Sequence, residues 1–223
     1  MSRFSTNYCR FDDKAINKSK QSAMFKKYYC LSFLIFSFSL LTTGSGFAQS
    51  TMLSKGDAAP VFTAQASLAG SEFNFSLKKS LAKGPVVVYF YPSAYTGGCD
   101  AEAHAFAELK DKFTAAGATI IGVSADDIKR LNAFSSDPQY CAGKFPVASD
   151  PGGEIAAKYG LTMGAPKPGI KDLSGQDLTH GFIPRTTFVI DKEGKIVAVF
   201  SSNTDHISPT DHVEKSLAIV KGL

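Results

Sequence analysis

The residues Pro85-Val-Val-Val-Tyr-Phe-Tyr91 form an unbroken run of β-branched and aromatic side chains. A strand with one wet face alternates apolar and polar residues, whereas a continuous run belongs to a strand covered on both sides. Such a strand needs a layer above it and a layer below, which makes an α/β architecture the expectation. The following segments supply those layers. Residues 99–116 place Ala105, Phe106, Leu109 and Phe113 at helical spacing, with Gly117 as the stop. Residues 119–124 read as a second buried strand, 126–136 as a helix opened by acidic residues, 145–149 as a third short strand, and 153–159 as a short helix ended by Gly160.

Upstream, residues 62–68 and 72–77 flank Ala69-Gly70-Ser71 and predict an N-terminal β-hairpin. Downstream, residues 161–184 hold three Pro and four Gly with no period. That predicts a long loop, of a kind that often serves function inside a compact domain. Residues 186–191 and 195–201 form a second hairpin across Lys192-Glu193-Gly194, and 211–220 a closing helix. Strand, crossover helix and strand imply parallel pairing, and the late hairpin adds antiparallel strands. The expected fold is a mixed central sheet flanked by helices, in the order of a thioredoxin-like fold.

Residues 1–48 read as a precursor segment rather than as part of that domain. Lys26 and Lys27 precede an apolar stretch at 30–41, and Gly46-Phe47-Ala48 offers small residues for cleavage before Gln49. The apolar stretch is 12 residues, short of the roughly 18–20 that span a bilayer. Translation is therefore expected to start at Met24, with cleavage after Ala48, no stable membrane anchor, and export to a bacterial periplasm as a mature domain of 49–223. No Cys stands at the cleavage point to accept a lipid.

Of the 24 Lys/Arg and 20 Asp/Glu, seven and two lie in residues 1–48, leaving 17 against 18 and a net charge of −1. With no basic stripe to track a phosphate backbone, nucleic-acid binding is not expected. Cys9 and Cys30 leave with the precursor, so the mature chain keeps Cys99 and Cys141. Two cysteines in an exported protein raise the expectation of a structural or catalytic disulfide.

Cys99 follows the buried strand at the first turn of a helix, where free N–H groups and the helix dipole favour a thiolate, the reactive form of cysteine. Gly97 and Gly98 allow a tight bend and close approach to the sulfur. Thr96 offers a hydroxyl beside it, or only a helix cap. Pro92 offers a rigid wall, or only a strand terminator.

Taken together, Pro92-x-x-x-Thr96-x-x-Cys99 resembles the active-site signature of the peroxiredoxins of the AhpC/TSA type, thiol peroxidases on a thioredoxin-like fold. The stretch FYPSAYTGGCDAEAHAF is most similar to the bacterioferritin comigratory protein (PrxQ) branch. The resemblance extends to Lys55-Gly-Asp-Ala-Ala-Pro-Val-Phe62, Ile121-Gly-Val-Ser124, Phe145-Pro-Val-Ala-Ser-Asp150, Lys158-Tyr159-Gly160 and Pro184-Arg185-Thr-Thr-Phe-Val-Ile-Asp191, covering nearly all of 52–223. It implies Cys99 as the peroxide-attacking thiolate, with Thr96 and Arg185 binding the peroxide and Pro92 shielding the site. It further implies hydrogen peroxide and organic hydroperoxides as substrates, a thioredoxin-like reductant as partner, no cofactor, and a monomer or weak homodimer.

Many members of that branch carry a resolving Cys five residues after the first, but position 104 here is His. The resemblance then points to Cys141, in Gln139-Tyr-Cys-Ala-Gly-Lys-Phe145, as the partner in an intramolecular disulfide with Cys99. Bonding across that separation requires Cα atoms within about 5.5–6 Å, so local unwinding on oxidation is expected. Cys141 as a static disulfide partner or a buried free thiol in a one-cysteine enzyme stays open, as does a thiol-switch sensor. A thioredoxin-type reductase would want Cys at 102, where Glu stands, either paired with a cation or simply solvated. His104, His180, His206 and His212 show no paired ligand spacing, and no metal is expected.

Overall fold

The computed structural model describes residues 51–223. The leader, the start at Met24 and the cleavage point fall outside these residues. Among the described residues no helix is long and apolar enough to cross a membrane.

Seven strands among the described residues form one mixed sheet: β1 (Thr63–Leu68), β2 (Ser71–Ser76), β3 (Val86–Phe90), β4 (Thr119–Ser124), β5 (Val147–Ser149), β6 (Thr186–Ile190) and β7 (Ile196–Ser201), in the order β2-β1-β5-β4-β3-β6-β7. β3 runs parallel to β4, and β4 parallel to β5. The pairs β1–β2, β1–β5, β3–β6 and β6–β7 are antiparallel.

All five residues of β3 are buried, and they divide between two cores. Val86, Val88 and Phe90 pack with Ile121, Val123, Phe188 and Ile190 under two short helices, α1 (Leu77–Leu81) and α4 (Glu154–Lys158). Val87 and Tyr89 face the other way, toward α2 (Gly97–Ala115), α3 (Ile128–Ser136) and α6 (Pro209–Val220). The second core is aromatic: Phe106 of α2 stacks on Tyr89 with ring centroids 4.6 Å apart and lies against Phe113 and Phe145. Burying one such ring contributes about 1.5–3 kcal/mol, so this packing helps hold α2 to the sheet. Gly122 on β4 makes room for it, since a Cβ there would stand 2.7 Å from the Tyr89 ring.

Several elements depart from the sequence reading. The strand expected to run to Leu77 stops at Ser76, whose hydroxyl accepts from the Lys79 N–H and starts α1. Four further residues, α5 (Ser202–Asp205), form a helical turn after β7. The closing helix starts at Pro209, two residues ahead of expectation, behind a Ser208/Asp211 capping box. Residues 161–184 carry no helix or strand.

Candidate active site around Cys99

β3 delivers the chain to Pro92, half-buried at the strand exit, and the 93–96 turn reverses it into α2. The tight bend expected at Gly97-Gly98 falls instead on Tyr95, held left-handed at φ 58°; the two glycines are the first residues of the helix. A non-glycine residue there costs about 1–3 kcal/mol, so surrounding contacts must hold it. Gly98 serves a different purpose. A Cβ at that position would meet Arg185 Nη2 at 3.2 Å, and its absence lets the guanidinium reach the helix terminus.

Cys99 is the third helical residue and 2% exposed. Arg185 Nη2 donates to its Sγ at 3.1 Å, while Nη1 of the same guanidinium pairs with the Glu102 carboxylate. Thr96 caps the helix by position only: its side chain makes no capping bond, and its hydroxyl donates to Ser93 O at 2.7 Å. Cys99, Thr96 and Arg185 are thus gathered at one helix end from two distant stretches of sequence. Glu102, left open by the sequence, is wholly buried and paired with a cation rather than solvated.

The electrostatics correct one expectation. A helix N-terminus alone favours the thiolate, but burial pushes the Cys99 thiol up; Arg185, the Ser93 N–H and the Thr96 hydroxyl pull it down, and the Glu102 charge pushes it up again. Desolvation wins because the sulfur has almost no water contact. Burial also raises the Glu102 carboxyl, against the pull of Arg185, to about 7. Near neutral pH, then, Arg185 lies between a Glu102 carboxyl poised to ionise and a Cys99 sulfur that burial biases toward the thiol.

Cys141 sits in the turn after α3, fully buried, and both cysteines are free thiols. It belongs to the same core as Cys99, on the α2 face of the sheet. Burial, then Asp100 and Asp137, push its thiol well above the ordinary range. Two bonds strap this turn to α2: His104 Nδ1 donates to Gln139 O at 3.1 Å, and Lys144 Nζ donates to Ala107 O at 3.1 Å. His104 is otherwise exposed and 3.3 Å from Glu108.

Other histidines do more than the sequence suggested. His212 lies buried on α6, between the Thr187 and Ser202 hydroxyls at 2.9 Å each. His180, from the 161–184 loop, reaches Asp126 Oδ1 at 3.0 Å. The sequence reading took Asp126 only as one of the acidic residues opening a helix, but that helix starts at Ile128 behind the Asp127 cap, and Asp126 lies buried outside it. Its signal was its place two residues beyond the end of a buried parallel strand, where α/β sheets collect functional groups. Among the described residues no group of three or more His, Cys, Asp and Glu is arranged to hold a metal.

The AhpC/TSA family model matches residues 55–199. The chain belongs to the AhpC/TSA family of peroxiredoxins. This peroxiredoxin is 31% identical over 212 residues to the chloroplastic peroxiredoxin Q of Populus jackii, spanning 93% of this chain and 86% of that one. Among solved structures it is similar to the peroxidoxin BcpB of Mycobacterium tuberculosis, at 31% identity and a TM-score of 0.63 over 77% of this chain and 98% of the other. It also resembles the bacterioferritin comigratory protein of Xanthomonas campestris, in a structure concerned with that protein's alkyl peroxide reduction activity. There the identity is 28% and the TM-score 0.54, over 71% and 90% of the two chains. A peroxiredoxin is a thiol peroxidase, and the mixed sheet with helices on both faces is the thioredoxin-like fold of that enzyme family.

Proposed function

We propose that this peroxidase reduces hydrogen peroxide and organic hydroperoxides through Cys99, resolves the oxidised cysteine with Cys141, and is recycled by a thioredoxin-like dithiol. The observation that carries the reading is Arg185 Nη2 at 3.1 Å from the Cys99 sulfur. A thiolate at Cys99 attacks the terminal oxygen of the hydroperoxide. The S–O bond forms as the O–O bond breaks, and the departing alkoxide or hydroxide takes the proton that the thiol gave up. Arg185, the Thr96 hydroxyl and the N–H groups of the first helical turn steady the charge as it moves between the oxygens. Pro92 walls the site. The product is an alcohol or water and a Cys99 sulfenic acid.

Cys141 then attacks the Cys99 sulfur and expels hydroxide, which leaves as water, closing a disulfide. Both thiols are buried, so this step follows unwinding of the first turn of α2, of the Cys141 turn, or of both. An outside dithiol returns both cysteines to thiols by exchange. The leader-like residues 1–48 support export to a bacterial periplasm, and the mature domain of 49–223 acts there as a monomer or weak homodimer. Likeness to a protein with alkyl peroxide reduction activity supports organic hydroperoxides as substrates.

The full burial of Cys141 favours a second reading, a one-cysteine peroxidase in which it takes no part. Peroxide consumption with dithiothreitol and with a thioredoxin system separates the two in wild type, Cys99→Ser and Cys141→Ser. The first variant is expected to be inactive. The second is expected to keep the peroxide step and lose thioredoxin coupling; full coupling in Cys141→Ser favours the one-cysteine reading. Turnover by Cys99→Ser sinks both, and a single equivalent consumed by wild type identifies a sensor instead.

A further inference from the structure

The 161–184 loop makes an ion network with the segment that precedes Cys99. Its centre is Asp126, buried just after β4. Asp126 Oδ1 takes the Ser93 hydroxyl at 2.8 Å, Arg130 Nε at 2.9 Å and His180 Nε2 at 3.0 Å. Its Oδ2 takes the Ala94 N–H at 2.8 Å and the Ser124 hydroxyl at 2.7 Å. Arg130 continues the network, donating through Nη2 to Ala94 O at 2.8 Å and to Asp172 Oδ2 at 2.6 Å, and through Nη1 to Gln176 Oε1 at 3.2 Å. His180 Nδ1 donates to Gly181 O at 2.8 Å.

Buried charges need partners, and a loop could be pinned by them with no bearing on catalysis. The destination of these bonds argues otherwise. They converge on residues 93–95, the stretch between β3 and the cysteine helix. The Leu173 N–H donates to Tyr95 O at 2.9 Å, and the Arg130 guanidinium lies 5.1 Å above the Tyr95 ring, so the left-handed residue is gripped at its backbone and its side chain. The same turn faces the sulfur: Ser93 O receives the Thr96 hydroxyl, and the Ser93 N–H and Thr96 hydroxyl both favour the Cys99 anion. The loop ends at Arg185, so one segment carries the cation and also braces the turn on the other side of the sulfur.

We propose that the 161–184 loop is a working part of the peroxide site: Asp172 and His180, acting through Arg130 and Asp126, are positioning residues that hold the 93–96 turn against Cys99. The inference rests on Cys99 being the peroxide-reacting thiol. The charge states suit the task. Despite its burial, the His180 imidazole, the Ala94 N–H and the Ser124 hydroxyl hold Asp126 below the ordinary carboxylate range. Burial lowers His180, but Asp126 and the Gly181 carbonyl outweigh it and favour the imidazolium, both of whose N–H groups then have an acceptor.

The test compares wild type, Asp172→Ala/His180→Ala and His180→Gln in the full chain, reading the second-order rate with hydrogen peroxide and the pH midpoint of Cys99 alkylation by peptide mass spectrometry. Freed from its brace, the turn is expected to drift, costing the double variant about 10- to 100-fold in rate and moving the Cys99 midpoint up by about one unit. His180→Gln keeps an N–H for Asp126 Oδ1 and is expected to stay close to wild type on both readouts. A folded double variant with wild-type rate and wild-type midpoint overturns the proposal. If the double variant does not fold, His180→Ala against His180→Gln makes the same comparison, and equal values with wild type in both overturn it. A wild type that ignores peroxide removes the underlying function instead, while the alkylation midpoints still report whether the loop positions the turn.

Discussion

Tyr95 meets Tyr140 edge to face, ring centroids 5.4 Å apart and planes 86° apart, and the two rings belong to the two cysteine-bearing segments. Phe134 of α3 completes the cluster, stacked on Tyr140 at 5.2 Å and edge-on to Tyr95 at 5.3 Å. Cys141 is the next residue after Tyr140, so on the proposed disulfide route these contacts loosen as its turn moves toward Cys99. An aromatic pair of this geometry is worth about 0.5–1.5 kcal/mol. Tyr140→Ala is therefore expected to speed disulfide closure roughly 2- to 10-fold at an unchanged rate of Cys99 oxidation. Quenched-flow thiol labelling after a peroxide pulse measures both; slower closure shows that the rings guide the turn rather than restrain it.

Arg185 offers one nitrogen to Cys99 and another to Glu102, which a single ammonium cannot reproduce. Arg185→Lys is expected to lower the rate constant for hydrogen peroxide by about 100- to 1,000-fold, as for removal of one transition-state donor. Stopped-flow kinetics decides this, and a loss of under about threefold would place the guanidinium outside the reaction.

Glu102 raises the Cys99 thiol and is itself raised to about 7. Glu102→Gln removes the competing negative charge, so the alkylation midpoint of Cys99 is expected to fall. Stability should respond too. A carboxyl whose folded pKa exceeds its unfolded value of about 4.3 favours folding fully below that value and loses the contribution as pH rises to about 7. Wild type should accordingly lose melting temperature between about pH 4.3 and 7 relative to Glu102→Gln, and parallel curves for the two proteins would refute the assignment.

His212 behaves in the opposite sense. Burial, helped by Arg185, depresses its imidazole to about 4, so it is neutral between Thr187 and Ser202. Its contribution is present above the unfolded value of about 6.5 and lost as pH falls toward about 4. His212→Leu strands two hydroxyls and is expected to cost about 1–3 kcal/mol at pH 7, by urea denaturation, with a smaller deficit at pH 5. An equal deficit at both values would show that the imidazole is already charged in the folded protein.

The strands and the long helices were legible because each carries its own local pattern. The all-apolar run of β3, the spacing of Phe106 and Phe113 on α2 and the Gly117 stop depend on neighbours in sequence. Cys99, Thr96 and Arg185 were legible through a motif, and they do meet. The partners of Asp126 were not: Ser93 and Ala94 precede it by 33 and 32 residues and His180 follows by 54, and nothing local announces such a meeting. The bend at Tyr95 was hidden for a related reason. Glycine is the ordinary choice for a left-handed residue, and it takes the contacts from Arg130, Leu173, Phe134 and Tyr140 to hold a tyrosine there.

The antiparallel pairing of β6 with β3 has a geometric consequence. β3 and β4 end at the same edge of the sheet, and β6, running the other way, begins there with Thr186 opposite Phe90. A strand of five residues is about 17 Å long. Had β6 followed the direction of β3, Arg185 would stand at the far edge, too distant for any rotamer to bridge. One reversed strand converts three loops that are remote in sequence into a single rim around Cys99.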